Sequence, residues 1–367
     1  MRIGINALYL IPGGVGGTET YLRSLLNALG QIDSRNEYLV FTNQETSDTI
    51  IPDAPNFKIV RQPVRAVVRP TRILWEQCVL PISAANLHLD VLLNPGFTAA
   101  LAAPCPQVTV FHDLQHKRHP EFFRWFDLPF WRFLLFWSAR ISRLLLAISE
   151  VTARDLQHFY GIPDSKIRVT PLGVDEDFFP ISAVRRPEPF LLCVSTLHPH
   201  KNLDALLRSF AEIRRLKPEF RLVISGLHGF ASADLHALRD SLGLHDVVDF
   251  PGWIPRADLH DLFARAWAFV YPSLFEGFGL PVLEGMAAGL PTACSDIEPL
   301  RSISADAALH FDPRQPDSIT AAVMRLIADD PLRARLAAAG PRRAAEFSWR
   351  RTAAQTLSAL EEARRSR

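Results

Sequence analysis

The chain has 367 residues, 48 % of them apolar and 22 % charged, with a formal net charge of +1. That length exceeds what one hydrophobic core usually spans, so two domains are expected, and the balance is that of a globular rather than a disordered protein. Near-neutral charge gives no support to nucleic-acid binding, so any anion must be held by local sites.

Taken in chain order, short apolar runs alternate with helical patterns. "RIGINALYL" (2–10) reads as a strand and 18–29 as a helix. "EYLVFT" (37–42), "FKIV" (57–60), "DVLLN" (90–94), "QVTVF" (107–111) and "RLLLAIS" (143–149) read as further strands, with helices over 74–87, 129–142 and 151–160. Such nearly continuous apolar strands fit parallel sheets covered on both faces. A break of mixed charge and proline follows at 175–189, and then the alternation resumes. Strands are expected at 190–196, 221–226, 247–252 and 268–273, and helices at 202–216, 256–266, near 281 and near 315. The pattern predicts two α/β domains, 1–182 and 188–348, with a final helix over 349–367 packing back on the first. Ligands of such sheets bind beyond the carboxyl ends of the strands.

Cys78, Cys105, Cys193 and Cys294 are scattered without CxxC pairing, so they are expected to be buried, reduced thiols. The apolar start is too short for a secretory leader and runs into a glycine turn. The longest apolar run, 128–149, is broken by Arg132, Arg140 and Arg143, so no membrane span is expected. A cytoplasmic protein is the expectation, with contact at the inner face of the membrane left open.

The most informative stretch is "YPSLFEGFGLPVLEGMAAGL" (271–290). It reads as a strand end, a glycine-rich loop and a helix start, with Pro281 in the first turn, where its missing N–H is not needed. Amides there point outward in the positive field of a helix N-terminus, which suits an anionic ligand. Glu276 falls on the loop and Glu284 in the helix's first turn, and a carboxylate accepts two hydroxyl hydrogen bonds, as vicinal diols require. The competing reading is a solvated loop glutamate and a glutamate that merely stabilises a helix.

This stretch resembles the E-x7-E signature of retaining glycosyltransferases of family 4, which have the GT-B fold, two Rossmann-like domains with parallel sheets facing across a cleft. "GGVGGTETYLRSLL" (13–26), "RILWEQCVLP" (72–81), "VFHDLQHKRHPEFF" (110–123), "AISEVTARDL" (147–156), "VTPLGVDEDFF" (169–179), "STLHPHKNLDALLRSF" (195–210) and "FSWRRTA" (347–353) extend the resemblance over nearly the whole chain. The resemblance implies that Glu284 binds ribose hydroxyls, and that Glu276 with Gly277, Phe278, Gly279 and Leu280 holds the donor sugar. It implies that Lys201 neutralises the diphosphate leaving group, that Gly16 and Gly17 form a loop against phosphate or acceptor, and that His112 faces the donor sugar. Asp113 would orient that loop. No metal or other cofactor is expected. The chain departs from many family members at Thr196, where they carry an arginine, which makes Lys201 the one fixed cation of the motif. The literal D-x-D at Asp175-Glu176-Asp177 reads as a solvated linker.

The expected activity is transfer of a hexose, with GDP-mannose the best guess for donor, to a saccharide acceptor, lipid-linked and used in surface polysaccharide. Two stretches bear on the acceptor. "KIVRQPVRAVVRPTR" (58–72) has five cations and no acid, and 129–143 sets aromatics against Arg132, Arg140 and Arg143. Both suit a membrane surface; an ordinary basic loop and a buried helix with snorkelling arginines are the alternatives. A non-catalytic nucleotide-sugar or saccharide-binding subunit and a nucleotide-sugar epimerase are the competing functions.

Overall fold

The apolar runs become strands of two parallel sheets in the computed structural model, which describes residues 1–365 except 15, 124 and 230. The chain divides into two units, the first made of Met1–Gly173 with the segment from Ser348, the second of Val174–Phe347.

In the first unit β1 (Arg2–Asn6), β2 (Glu37–Thr42), β3 (Phe57–Arg61), β4 (Val91–Asn94), β5 (Gln107–Phe111), β6 (Leu144–Ala147) and β7 (Ile167–Val169) form a sheet of order β3-β2-β1-β4-β5-β6-β7. Its helices are α1 (Gly17–Ile32), α2 (Arg69–Asn86), α3 (Gln115–Arg118), α4 (Leu128–Ile141) and α5 (Glu150–Tyr160). The last is sharply bounded. Ser149 caps its start by accepting from Thr152 N–H at 3.2 Å, and Gly161 ends it with φ of 60°. The C-terminal helix Trp349–Arg365 lies in this unit, tied by Arg168–Glu362 and Arg364–Asp90 ion pairs and by Thr352 Oγ1 donating to Pro171 O at 2.6 Å.

In the second unit β8 (Phe190–Val194), β9 (Arg221–Ser225), β10 (Val248–Gly252), β11 (Ala268–Tyr271), β12 (Thr292–Ser295) and β13 (Leu309–Phe311) run in the order β10-β9-β8-β11-β12-β13. Helices α6 (Leu203–Leu216), α7 (Ser232–Ser241), α8 (Arg256–Arg265), α9 (Leu280–Ala287), α10 (Leu300–Ser304), α11 (Pro316–Ala328) and α12 (Asp330–Ala344) connect and cover them. Strand order reverses between β8 and β11, which pair directly with Leu192 opposite Phe269. The carboxyl ends of those two strands are therefore the switch point of the sheet.

Several expectations are corrected. Residues 174–182 belong with the second unit, because Phe178 is fully buried against Phe263 and Val174 N–H donates to Phe347 O at 3.1 Å. The first strand stops at Asn6, whose Oδ1 accepts from Leu8 N–H and turns the chain. Cys105, Cys193 and Cys294 are buried as expected, whereas Cys78 is exposed on α2.

Candidate functional site

In the second unit the switch point brings two of the sequence-predicted residues into contact. Lys201 follows β8 and Glu276 follows β11, and Lys201 Nζ donates to Glu276 Oε1 at 2.6 Å and to Tyr271 Oη at 3.0 Å. The pair is largely buried, with 14 % and 9 % of the side chains exposed. Burial pushes the Glu276 carboxyl up, but the ammonium of Lys201 more than offsets this and holds it below its ordinary value. Burial and the Glu276 charge keep the Tyr271 phenol protonated.

Positioning of this pair depends on residues that sequence reasoning did not assign. Asn202 adopts φ of 56°, and its Nδ2 donates to Pro272 O at 3.1 Å and Pro313 O at 2.7 Å. Ser273 Oγ donates to His200 O and Phe275 O, and Leu274 N–H donates to His200 O at 2.8 Å. These bonds fasten the loop carrying Lys201 to the loop carrying Glu276. The signal was present, because a residue that must adopt a left-handed backbone is well served by asparagine.

Gly277 follows Glu276, and Phe278 is buried edge-on against Phe347. Gly279 has φ of 112°, and a Cβ there would lie 2.2 Å from Leu300 Cδ2, so the turn into α9 admits glycine alone. Leu280 opens α9, and Glu284 stands in its second turn rather than its first. Glu284 is half-buried, and its carboxyl is pushed up to about 7 by burial and next by the Asp175 charge. The D-x-D is not a solvated linker: Arg256 Nη2 donates to Asp175 at 2.7 Å and Asp177 at 2.6 Å, with its guanidinium over Phe178. That cluster sets the charge around Glu284. Thr196 is half-buried in the turn after β8, and its carbonyl accepts from Ser195 Oγ and His198 N–H. After Lys201, His200 contributes next to holding the Glu276 carboxyl down.

In the first unit the glycine-rich loop opens α1. Gly16 has φ of 57°, and a Cβ at Gly16 or Gly17 would meet nothing within 4 Å. The loop is anchored by Gly13 N–H donating to Glu19 Oε2 at 2.8 Å. His112, at the end of β5, is buried with its ring edge-on to Tyr21 of α1 at 5.0 Å and to Phe97 at 5.1 Å. Its Nε2 lies 2.8 Å from Pro95 O, which can only accept, so Nε2 carries the proton. Burial pushes its pKa down to about 4, so at neutral pH the ring is uncharged and Nδ1 is an acceptor. Asp113 Oδ1 accepts from Gln115 N–H at 2.9 Å. Beneath these loops Glu76 Oε1 accepts from Asn6 Nδ2 and Thr98 Oγ1, both at 2.6 Å, and Arg72 lies 3.8 Å from Oε2. The landmark "RILWEQ" is thus a buried polar joint between α2, β1 and the loop after β4.

The five cations of 58–72 each have an acid from elsewhere in the unit: Lys58–Glu37, Arg61–Asp48, Arg65–Glu45, Arg69–Asp127 and Arg72–Glu76. α4 ends at Ile141, before Arg143, and Arg140, which is exposed, donates to Tyr160 O at 2.9 Å. Aromatic side chains face outward as well. Trp125 is 84 % exposed and Phe133 56 %, with Phe126, Phe130 and Trp137 also exposed. Leu74, Cys78 and Ile82, at a four-residue spacing on α2, are exposed too. No described helix is long and apolar enough to cross a membrane.

Residues 174–343 match the family model described as "Glycosyl transferases group 1", and 15–178 match "Glycosyltransferase Family 4". Over 99 % of this chain and 98 % of the relative, it is 30 % identical to MMP alpha-(1->4)-mannosyltransferase of Mycolicibacterium hassiacum. The chain belongs to glycosyltransferase family 4. It is an enzyme of that family, a hexosyltransferase. The family member is also 30 % identical to O-antigen chain mannosyltransferase B of Escherichia coli, over 69 % of each chain. Among solved structures it is similar to sucrose-phosphate synthase from Thermosynechococcus elongatus, with a TM-score of 0.79 at 19 % identity over 99 % of this chain and 98 % of that one. It is likewise similar to WaaG, a glycosyltransferase involved in lipopolysaccharide biosynthesis, with a TM-score of 0.77 at 16 % identity over 98 % and 99 %. The fold is GT-B, two Rossmann-like units of parallel sheet.

Proposed function

We propose that this enzyme transfers mannose from GDP-mannose, with retention, to a lipid-linked saccharide acceptor in the synthesis of a surface polysaccharide. The observation that carries the reading is the Lys201–Glu276 pair at the switch point, with Glu284 on the helix that follows. In this reading Glu284 accepts the ribose hydroxyls, and Glu276 with Gly277, Phe278, Gly279 and Leu280 holds the sugar. Lys201, with the turn at Thr196, holds the diphosphate. His112 contributes its Nδ1 acceptor to a sugar hydroxyl, and Gly16 and Gly17 leave room beside the reacting groups. The bond from the sugar's anomeric carbon to the phosphate oxygen breaks, and the bond to the acceptor oxygen forms on the same face. The acceptor's proton passes to the leaving diphosphate, whose growing charge Lys201 stabilises. The mannosyltransferase relatives support the sugar, and the O-antigen relative supports the class of product. The exposed aromatics of α4 and the exposed apolar residues of α2 suit the surface of a bilayer at the inner face of the cell membrane.

The test is incubation with GDP-mannose, GDP-glucose, UDP-glucose and UDP-galactose in the presence of bacterial lipid extract. Mannose incorporated into the lipid fraction from GDP-mannose alone is the expected result. Donor binding without transfer to any acceptor would overturn it in favour of a binding subunit, and interconversion of the donor without acceptor in favour of an epimerase.

A further inference from the structure

The segment after His112 crosses α4 and α5 and leaves a group of nitrogen donors without acceptors. Arg118 is fully matched, its Nε 2.7 Å from Asp155 Oδ2. Its neighbours are not. Lys117 lies over the ring of Tyr160 at 5.4 Å, and no carboxylate of the described residues pairs with it or with Arg132. Arg132 stands one helical turn before Phe136, which meets the same Tyr160 ring edge-on at 5.6 Å. His116, buried, shares its Nε2 with Tyr160 Oη at 2.6 Å. Arg132 Nε and Gln115 Nε2 are both buried and have no hydrogen-bond partner.

Two half-buried cations side by side repel each other and lose hydration, and burial with Arg132 lowers the pKa of Lys117. Burial and the same two cations hold His116 neutral, down at about 4. In 58–72, by contrast, each of the five cations is matched by an acid. An oxygen-rich anion would satisfy the orphaned donors and separate the cations at once. A tetrahedral phosphate offers acceptors in several directions, as a guanidinium, an ammonium and an amide N–H approaching from two helices require. The outward face of the same helix carries Phe130, Phe133 and Trp137, so an anion here stands beside an apolar surface.

We propose that Gln115, Lys117 and Arg132 bind a phosphate group of the acceptor's lipid link, an inference that rests on the lipid-linked acceptor proposed above. The full chain is sedimented with phosphatidylcholine vesicles that are plain, or contain polyprenyl diphosphate, or contain phosphatidylglycerol. Binding to polyprenyl diphosphate vesicles is expected to exceed binding to plain ones by about tenfold or more and to be competed by inorganic pyrophosphate. Lys117→Gln with Arg132→Gln should abolish that preference and leave plain-vesicle binding and GDP binding unchanged. Lys117→Gln alone, which breaks no hydrogen bond, should reduce it severalfold with an unaltered melting temperature. Equal preference for phosphatidylglycerol, or a preference that survives both substitutions, overturns the assignment. Absence of sugar transfer from any donor, with the vesicle preference intact, overturns the proposed function and leaves the phosphate site standing.

Discussion

Lys201 and Glu276, 75 positions apart in the chain, form a buried ion pair at the carboxyl ends of two adjacent parallel strands. The cation assigned to the leaving group is thus already partnered by the carboxylate assigned to the sugar. An ammonium has three donors. Glu276 and Tyr271 each take one, which leaves one for a phosphate oxygen.

Removing either member of the pair has separable effects. Lys201→Ala leaves Glu276 buried without its counter-charge, and about 3–5 kcal/mol of stability should be lost in chemical denaturation. Transfer should fall about 100-fold or more even where the variant is folded. Glu276→Gln keeps a hydrogen-bond acceptor for Lys201, so its stability should change less while kcat falls and GDP affinity holds. Because Glu276 is depressed below its ordinary value of 4.5, the pair's contribution is present above that pH and lost only as pH falls through the lower folded value.

Glu284 gives two opposite pH trends. Its carboxyl titrates near 7 in the folded protein against 4.5 ordinarily, so the native state holds this proton more tightly than the unfolded chain. The unliganded protein should lose this contribution as pH rises from about 4.5 through about 7. Ribose hydroxyls need the ionised form, so GDP affinity measured by calorimetry should rise over pH 6 to 8 and then level off. Asp175→Asn removes a nearby negative charge and should move that rise to lower pH. An affinity flat across this range in the parent protein would refute Glu284 as the ribose ligand.

Glu76 predicts a stability defect without a direct chemical one. Glu76→Ala strands Asn6 Nδ2, Thr98 Oγ1 and the buried guanidinium of Arg72, and about 3–5 kcal/mol should be lost. Glu76→Gln, retaining one acceptor, should recover a large part of it in the same denaturation series.

Gly279→Ala forces a side chain into a left-handed backbone against Leu300. A loss of about 1–3 kcal/mol is expected, with weaker nucleotide binding because the turn opens α9. Gly17→Ala, which faces open space at φ below zero, should leave stability within about 0.5 kcal/mol of the parent.

Cys78 tests the proposed contact of α2 with a bilayer. It is the exposed thiol among four, so an environment-sensitive maleimide dye should label it selectively. Vesicles of bacterial lipid should shift the dye's emission to the blue, and an unchanged spectrum in bound protein would place α2 away from the bilayer.

Both sheets were legible because their main strands are continuous apolar runs bounded by turns, as in "FLLCVST" and "AFVYPS". The strands that escaped notice, β7, β12 and β13, are three or four residues long and carry Arg168, Ser295 or His310, so no apolar run marks them. Glu276 and Glu284 could be picked out because they flank a turn whose glycines and proline constrain the backbone, and Lys201 through the family resemblance of its segment. Tyr271 and the Asp175–Arg256 cluster could not, since their roles come from neighbours 70 and 81 positions away that only folding brings near. The acceptor side misled for a related reason. Charge counted along 58–72 says nothing about acids supplied by β2 and the loops that follow it, and these neutralise three of its five cations.

Asn202 fixes more than its own turn. One carboxamide clamps the ends of three chain segments, so the loops after β8 and β11 are held to one another within the folded chain. Ordering of those loops is then part of folding rather than of each encounter, and little conformational freedom remains to be lost on binding. In the proposed function such a site tolerates few reshaped donors, and diversity of sugar choice has to come from side chains on these loops, because their backbone is already stitched together.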